Sequence, residues 1–162
     1  MRLNVNLPIR RILDIGCGTH RSPGAVGIDI LDLKKYHPKG KFYQCDIDNE
    51  NLPFKDNTFD DIIASHVLEH CRNLVHVMEE IWRVSKPGAI VKIEVPEERS
   101  KWAWGDPTHV RCFNENTLKF FVKGYYVNNS RYGFKCDFDI IDMSVSDIFL
   151  LNCKMKVIKP IR

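Results

Sequence analysis

The stretch Arg11-Ile-Leu-Asp-Ile-Gly-Cys-Gly18 constrains this chain more than any other. Apolar residues interleaved with Asp14 and followed at once by Gly16 and Gly18 read as a buried strand that stops where the backbone bends or passes close to something. Glycine tolerates positive φ and leaves main-chain N–H groups open to a ligand, so a strand ending in Gly-x-Gly fits the edge of a nucleotide-like site. An ordinary tight turn carries the same pattern, so the rest of the chain has to separate the two.

More strands follow in order. Residues 25–30 form the second apolar run, only six residues after Gly18; that link contains Pro23 and Gly24 and is too short for a helix of ordinary length, so the first crossover is abbreviated. Residues 42–47, 59–65 and 89–95 read as strands three to five. Between the last two, an apolar stripe from Leu74 to Val84 predicts a helix over 72–85, ended by Lys86-Pro-Gly88, in which Met78 and Trp82 are core residues. Asn114 or Asn116 caps a further helix through Val122 that ends near Gly124. Residues 134–145 and 148–158 read as two strands of an antiparallel hairpin turning at Ser146 and Asp147, and residues 1–10, with Pro8 among Val5, Leu7 and Ile9, as a lead-in.

Asp14, Asp29 and Asp46 each stand near the end of one of the first three strands. Ligands of open α/β sheets bind outside the carboxyl ends of the strands, where three such carboxylates would surround one molecule. Asp29 suits the two hydroxyls of a ribose there, and is equally accounted for as an exposed acid at a strand end.

With 162 residues, 44% of them hydrophobic, the chain makes one well-buried core and a single domain over 1–162. A net charge of +3 with mixed signs asks for neither nucleic acid nor a membrane surface. The basic end, Lys154, Lys156 and Lys159 around Met155, Val157 and Ile158, reads as the solvated face of a last strand rather than an RNA patch. The six cysteines show no Cys-x-x-Cys spacing and no leader precedes them, which predicts reduced thiols in a cytoplasmic protein.

Residues 96–113 carry Trp102, Trp104, His109 and Arg111 in an irregular segment; with His70 these are the candidate substrate-binding residues, though such aromatics also serve to cover a core. His66-Val-Leu-Glu-His70 matches the helical His-x-x-Glu-His pattern of one class of zinc peptidases. That site needs a third ligand, commonly a distant Glu, and no Glu follows Glu115, so no metal is expected.

The ordered set Leu13-Asp-Ile-Gly-Cys-Gly-Thr19, Gly27-Ile-Asp-Ile30, Cys45-Asp-Ile47, Leu52-Pro-Phe54, Phe59-Asp60, Ser65 to His70 and Glu80 to Gly88 resembles the class I S-adenosylmethionine-dependent methyltransferases. The resemblance implies an α/β Rossmann-like fold: a mostly parallel seven-stranded sheet with an antiparallel last strand and reduced first helices. It also implies S-adenosylmethionine as cofactor, with Asp14 and the Gly16, Cys17 and Gly18 backbone facing its methionine part, Asp29 its ribose, and Asp46 and Ile47 its adenine. Ser65 and His66 would lie below the sulfonium, and Thr19 and Ile30 complete the cofactor-facing set. His20 stands where the family has a third glycine, and Thr19, His20 and Arg21 would supply polar groups in its place. An NAD-type site fits less well, because Asp29 follows Gly16 by 13 residues where about 20 are needed.

The expected reaction is methyl transfer by in-line displacement to an unidentified acceptor, a small molecule being favoured, with His66 and His109 as proton-handling residues. The alternatives are a methyltransferase-like scaffold or regulatory protein that binds cofactor poorly, and, further off, a zinc hydrolase using His66, Glu69 and His70.

Overall fold

The computed structural model describes residues 10–125 and 132–160; the lead-in expected over 1–10 lies, save for Arg10, outside the described residues. Seven strands form one sheet in the order β3-β2-β1-β4-β5-β7-β6: β1 (Ile12–Ile15), β2 (Val26–Asp29), β3 (Phe42–Gln44), β4 (Phe59–Ser65), β5 (Ser85–Pro96), β6 (Phe138–Val145) and β7 (Leu150–Val157). The first five run parallel, and β7 enters between β5 and β6 antiparallel to both. The strand order reverses beside β1, so the carboxyl ends of β1, β2 and β4 face a switch point of the kind where open α/β sheets bind ligands.

The only α-helix longer than five residues among those described is α1 (Leu74–Val84). Asn73 caps it by accepting the His76 N–H, and Val77, Met78 and Ile81 bury its apolar stripe against Ile62, Ala64, Val91 and Ile93. Lys86-Pro-Gly88 does not simply end this helix. Ser85 already pairs with Phe59, and the Pro-Gly step, with Gly88 at φ +76°, sits in a bulge of β5 before pairing resumes at Ile90.

Other boundaries move for local reasons. The helix after Asn114 is short, α3 (Glu115–Lys119), closed by a capping box between Asn114 and Thr117. The hairpin begins at Phe138 rather than 134, because Phe134 stacks on Phe121 and the Lys135 N–H goes to Glu79. Ile148 and Phe149 belong to the turn, where the Ser146 hydroxyl accepts the Leu150 N–H and Phe149 adopts φ +58°. Residues 96–113 contain one helical turn, α2 (Lys101–Gly105).

The missing first helices leave a mark on the sheet. Val91, Ile93, Cys153, Met155 and Val157 are buried on the α1 side, while the alternate residues Lys92, Lys154 and Lys156 are exposed. Parallel sheets ordinarily bury both faces; here the Thr19–Gly24 link holds no helix, and the 30–41 link only a 3-10 turn at Lys34–Tyr36. Lys159 departs from the solvated-face expectation. Its ammonium donates to Asn57, Arg83 O and Ser85 O and lies 4.5 Å over the Trp82 ring, where burial pulls its pKa down to about 8.

One side-chain network fixes the long connection between β3 and β4. Arg83 donates through Nε and Nη2 to both Glu80 oxygens, through Nη1 to Phe54 O and Asp56, and through Nη2 to Leu52 O; Glu80 in turn accepts the Leu52 N–H at 2.7 Å. Burial alone would push the Glu80 carboxyl up, but these hydrogen bonds and the guanidinium charge outweigh it and hold the group below its ordinary value. Arg83→Ala therefore removes the countercharge from a buried carboxylate that keeps only the Leu52 N–H, and leaves the Phe54 carbonyl without its donor, at a cost of about 2–4 kcal/mol in urea unfolding. Because a depressed carboxyl stabilises above its unfolded pKa and loses that stabilisation as pH falls through the folded value, the gap between wild type and variant should narrow in acid.

All six cysteines are free, and burial pushes Cys17 and Cys45 up to about 11 and Cys71, Cys136 and Cys153 up to about 12. At neutral pH a thiol reagent should modify the half-buried Cys112 first and reach the other five only on unfolding. Several thiols reacting at the same rate in the native protein would contradict this packing.

Candidate functional site

Gly16 and Gly18 both need their residue type, for different reasons. Gly16 has φ +64°, and a Cβ there would stand 2.6 Å from the Val67 side chain, so the bend after β1 is pressed against the turn after β4. Gly18 has φ +51° with open space where a side chain would be, and donates its N–H to Asp29 Oδ2 at 3.0 Å. His66, the last residue before that turn, also takes positive φ at +52°, an uncommon conformation for a residue with a Cβ.

Between these bends lies a cleft of about 360 Å³, a size within the range of small-molecule sites. Its walls include Gly16, Asp29, Ile30, Asp46, Ile47, His66, Val67 and His70. Asp29 sits at the end of β2; its Oδ1 accepts the Leu31 N–H and each oxygen keeps a lone pair for a hydroxyl. Asp46 lies two residues past the end of β3, accepting the Asp48 N–H and the Asn49 amide. Paired carboxylates beside apolar Ile30, Ile47 and Val67 suit a ligand with a hydroxylated sugar, a flat base and a positive charge, which is the chemistry of an adenosyl sulfonium.

The remaining expected cofactor residues stand elsewhere. Asp14 is buried and gives its Oδ2 to the Ser22 N–H at 2.6 Å, tying down the short β1–β2 link instead of lining the cleft. Cys17 is buried, with its sulfur 3.8 Å from His37 Nε2, and Thr19 pairs with His20 in solvent. Arg21 packs across Gly27 and Gly40 and donates to Lys41 O. Ser65 points to the other side of the sheet, donating to Glu94 at 3.0 Å.

A second hollow of about 660 Å³ meets the cleft at His66, walled by Trp102, Ile148 and Phe149 with Arg99 and Lys101 at its rim. Both cations stack on aromatics there, Arg99 on Phe149 at 5.3 Å and Lys101 on Trp102 at 4.8 Å. Of the candidate substrate residues, Trp102 lines this hollow and His70 the cleft. Trp104 is 77% exposed and donates to Glu98 O. Arg111 spends its guanidinium on the Cys71 and Arg72 carbonyls, which anchors the 106–113 segment to the start of α1. His109, half-buried as a residue but with a side chain only 7% exposed, is turned toward Glu69 and Asp106, and it lines neither cavity.

His66-Val-Leu-Glu-His70 does not form the helical zinc pair. It is a bend followed by a 3-10 turn (Leu68–His70), and the His66 ring lies 3.3 Å from Glu94 and 3.5 Å from Glu69. Asp48 was not singled out in the sequence, yet its carboxylate accepts the Arg72 and Asn73 N–H groups at the start of α1 and so sets one wall of the cleft. The signal was available in its position, two residues after Asp46.

The strand order, the glycine bend and an acidic cleft at the carboxyl ends of β1 to β4 together define a class I methyltransferase architecture. Residues 13–93, half of the chain, match a family model described as a methyltransferase domain, and the chain belongs to that family, whose class I members use S-adenosylmethionine. The biotin biosynthesis bifunctional protein BioHC of Cellvibrio japonicus is 35% identical over 99 residues, covering 53% of this chain and 20% of its own length. The sterol 4-C-methyltransferase strm-1 of Caenorhabditis elegans is 36% identical over 97 residues, 47% of this chain and 28% of that protein. The chain thus spans less than a third of either relative. A solved SAM-dependent methyltransferase from Archaeoglobus fulgidus shares the fold with a TM-score of 0.63 over 91% of this chain and 86% of its own, at 20% identity. No helix among the described residues is long and apolar enough to cross a membrane.

Gly16→Ala tests the bend directly. It forces a Cβ into Val67 at a positive φ, so it should cost about 1–3 kcal/mol in unfolding, whereas Gly18→Ala should cost only the backbone strain. Equal losses for the two would remove the Val67 contact from the account.

Proposed function

We propose that this chain is an S-adenosylmethionine-dependent methyltransferase acting on a small acceptor with an apolar, flat part. The observation that carries the reading is that Asp29 and Asp46, from separate strand ends, line one cleft with Gly16 and His66. The cofactor brings a methyl group already made electrophilic by its sulfonium, which leaves the chain to bind, orient and exclude water. Asp29 would take the ribose hydroxyls, and Ile47 and Val67 would flank the base. The acidic walls favour the sulfonium over its uncharged product.

His66 would stand where the two hollows meet, with its ring held between Glu69 and Glu94. An acceptor lying against Trp102, Ile148 and Phe149 would approach the cleft past this ring, which is placed to take a proton from acceptors that lose one. A second reading has a specific observation behind it: among the described residues no helix covers the Lys92, Lys154 and Lys156 row, and Asp14 is committed to Ser22, features that suit a scaffold with weak cofactor affinity.

Calorimetry with S-adenosylmethionine and S-adenosylhomocysteine separates the two readings. One site per chain is expected, and Asp29→Asn should weaken it by about 10–100-fold without unfolding the protein. No heat with either ligand, or an affinity indifferent to Asp29, would overturn the enzyme reading.

A further inference from the structure

We propose that Glu69, His70 and His109 form a divalent metal site of the zinc type, clasping the turn after β4 to the 106–111 segment. The inference stands apart from the methyl-transfer reading. It begins with Glu69, which is 1% exposed and has no hydrogen-bond partner for either carboxylate oxygen among the described residues. A buried bare carboxylate costs several kcal/mol unless a cation or proton compensates it.

The groups around it compensate it only weakly: His66 Nδ1 is 3.5 Å from Glu69 Oε1, beyond ordinary hydrogen-bond length. His109 Nε2 is 4.0 Å from Glu69 Oε1 and 3.8 Å from Asp106 Oδ2, both too long for a hydrogen bond. The other ring nitrogen of His109, Nδ1, lies 3.4 Å from the Ala103 carbonyl. A carbonyl oxygen only accepts, so Nδ1 is the nitrogen that holds a proton there, and Nε2 is the nitrogen left to bind a metal. A backbone carbonyl behind the far nitrogen is the usual outer support of a metal-bound imidazole.

His70 completes the set. Its ring lies edge-on to that of His109 with centroids 4.7 Å apart, held by Thr108 at Nδ1, and one donor atom from each of Glu69, His70 and His109 falls within 4.8 Å of the others. Metal–ligand bonds of about 2.0–2.2 Å bring such atoms to roughly 3.3 Å, a contraction small enough for side-chain rotation. Two imidazoles and one carboxylate suit zinc and related transition ions and disfavour the all-oxygen preference of calcium or magnesium. Three protein ligands leave a position for water, and Asp106 stands nearby to balance the remaining charge. This differs from the helical His-x-x-Glu-His set: Glu69 is a ligand, and His109, far along the chain, takes the place of His66.

The test uses the full chain without a histidine tag, stripped with chelator and titrated with Zn²⁺ or Co²⁺. One equivalent of Zn²⁺ should bind, Co²⁺ should give visible ligand-field absorption, and Glu69→Gln and His109→Ala should each weaken Zn²⁺ binding at least about tenfold. His76→Ala, on α1, should bind as wild type. Because the Glu69 and His109 side chains are enclosed and His70 is exposed, His70→Ala serves as the variant least able to disturb the fold, and it should lose affinity by a similar factor with an unchanged melting temperature in chelator. Less than a tenth of an equivalent bound, colourless Co²⁺ protein, or wild-type affinity in His70→Ala would each overturn the site.

Discussion

The contact between Gly16 and Val67 is the constraint on which the cleft depends. Two chain bends, one after β1 and one after β4, meet there without a side chain on the first, and that closeness sets the spacing of everything at the carboxyl edge of the sheet. Beside it, Asp29 reaches back to the Gly18 N–H, and His66 takes a left-handed conformation with its ring 3.3 Å from Glu94. A methyl group at Gly16 would separate the bends and relax all three.

Around this contact the chain replaces helices with carboxylates. Asp14 fastens Ser22, Asp29 fastens Gly18 and Leu31, Asp46 fastens Asn49, and Asp48 fastens the start of α1. Each holds a backbone or amide group that a longer crossover would have fixed by packing. Charge-assisted bonds of this kind are short and directional, so a few of them order loops that bury little apolar surface. On the other side of the site, Arg111 does the complementary work with its two bonds to carbonyls.

The strands were legible because their apolar runs are short and sharply bounded, and β4 was readable to the residue at both ends. Asp29 and Asp46 were legible for the same reason: their place at strand ends follows from the runs themselves. The bond from the Ser22 N–H to Asp14 could not be read, because the pattern fixes which strand carries Asp14 and not that Ser22 folds back over it. The pairing of Glu69 with His109 could not be read at all, since it depends on how a 3-10 turn and a segment almost 40 residues later come together. The hairpin turn shifted by two residues because the Ser146 hydroxyl and backbone close a loop around Ile148 and Phe149 that alternation alone reads as strand.

The sheet surface bearing Lys92, Lys154 and Lys156 has a consequence for how this chain can change. Nothing among the described residues is packed on that row, so a segment can be laid over it without disturbing the interior. A helix laid there would meet lysines and so would have to arrive with acidic residues of its own. The lysine row is in this sense an open face, and its charge already specifies what can cover it.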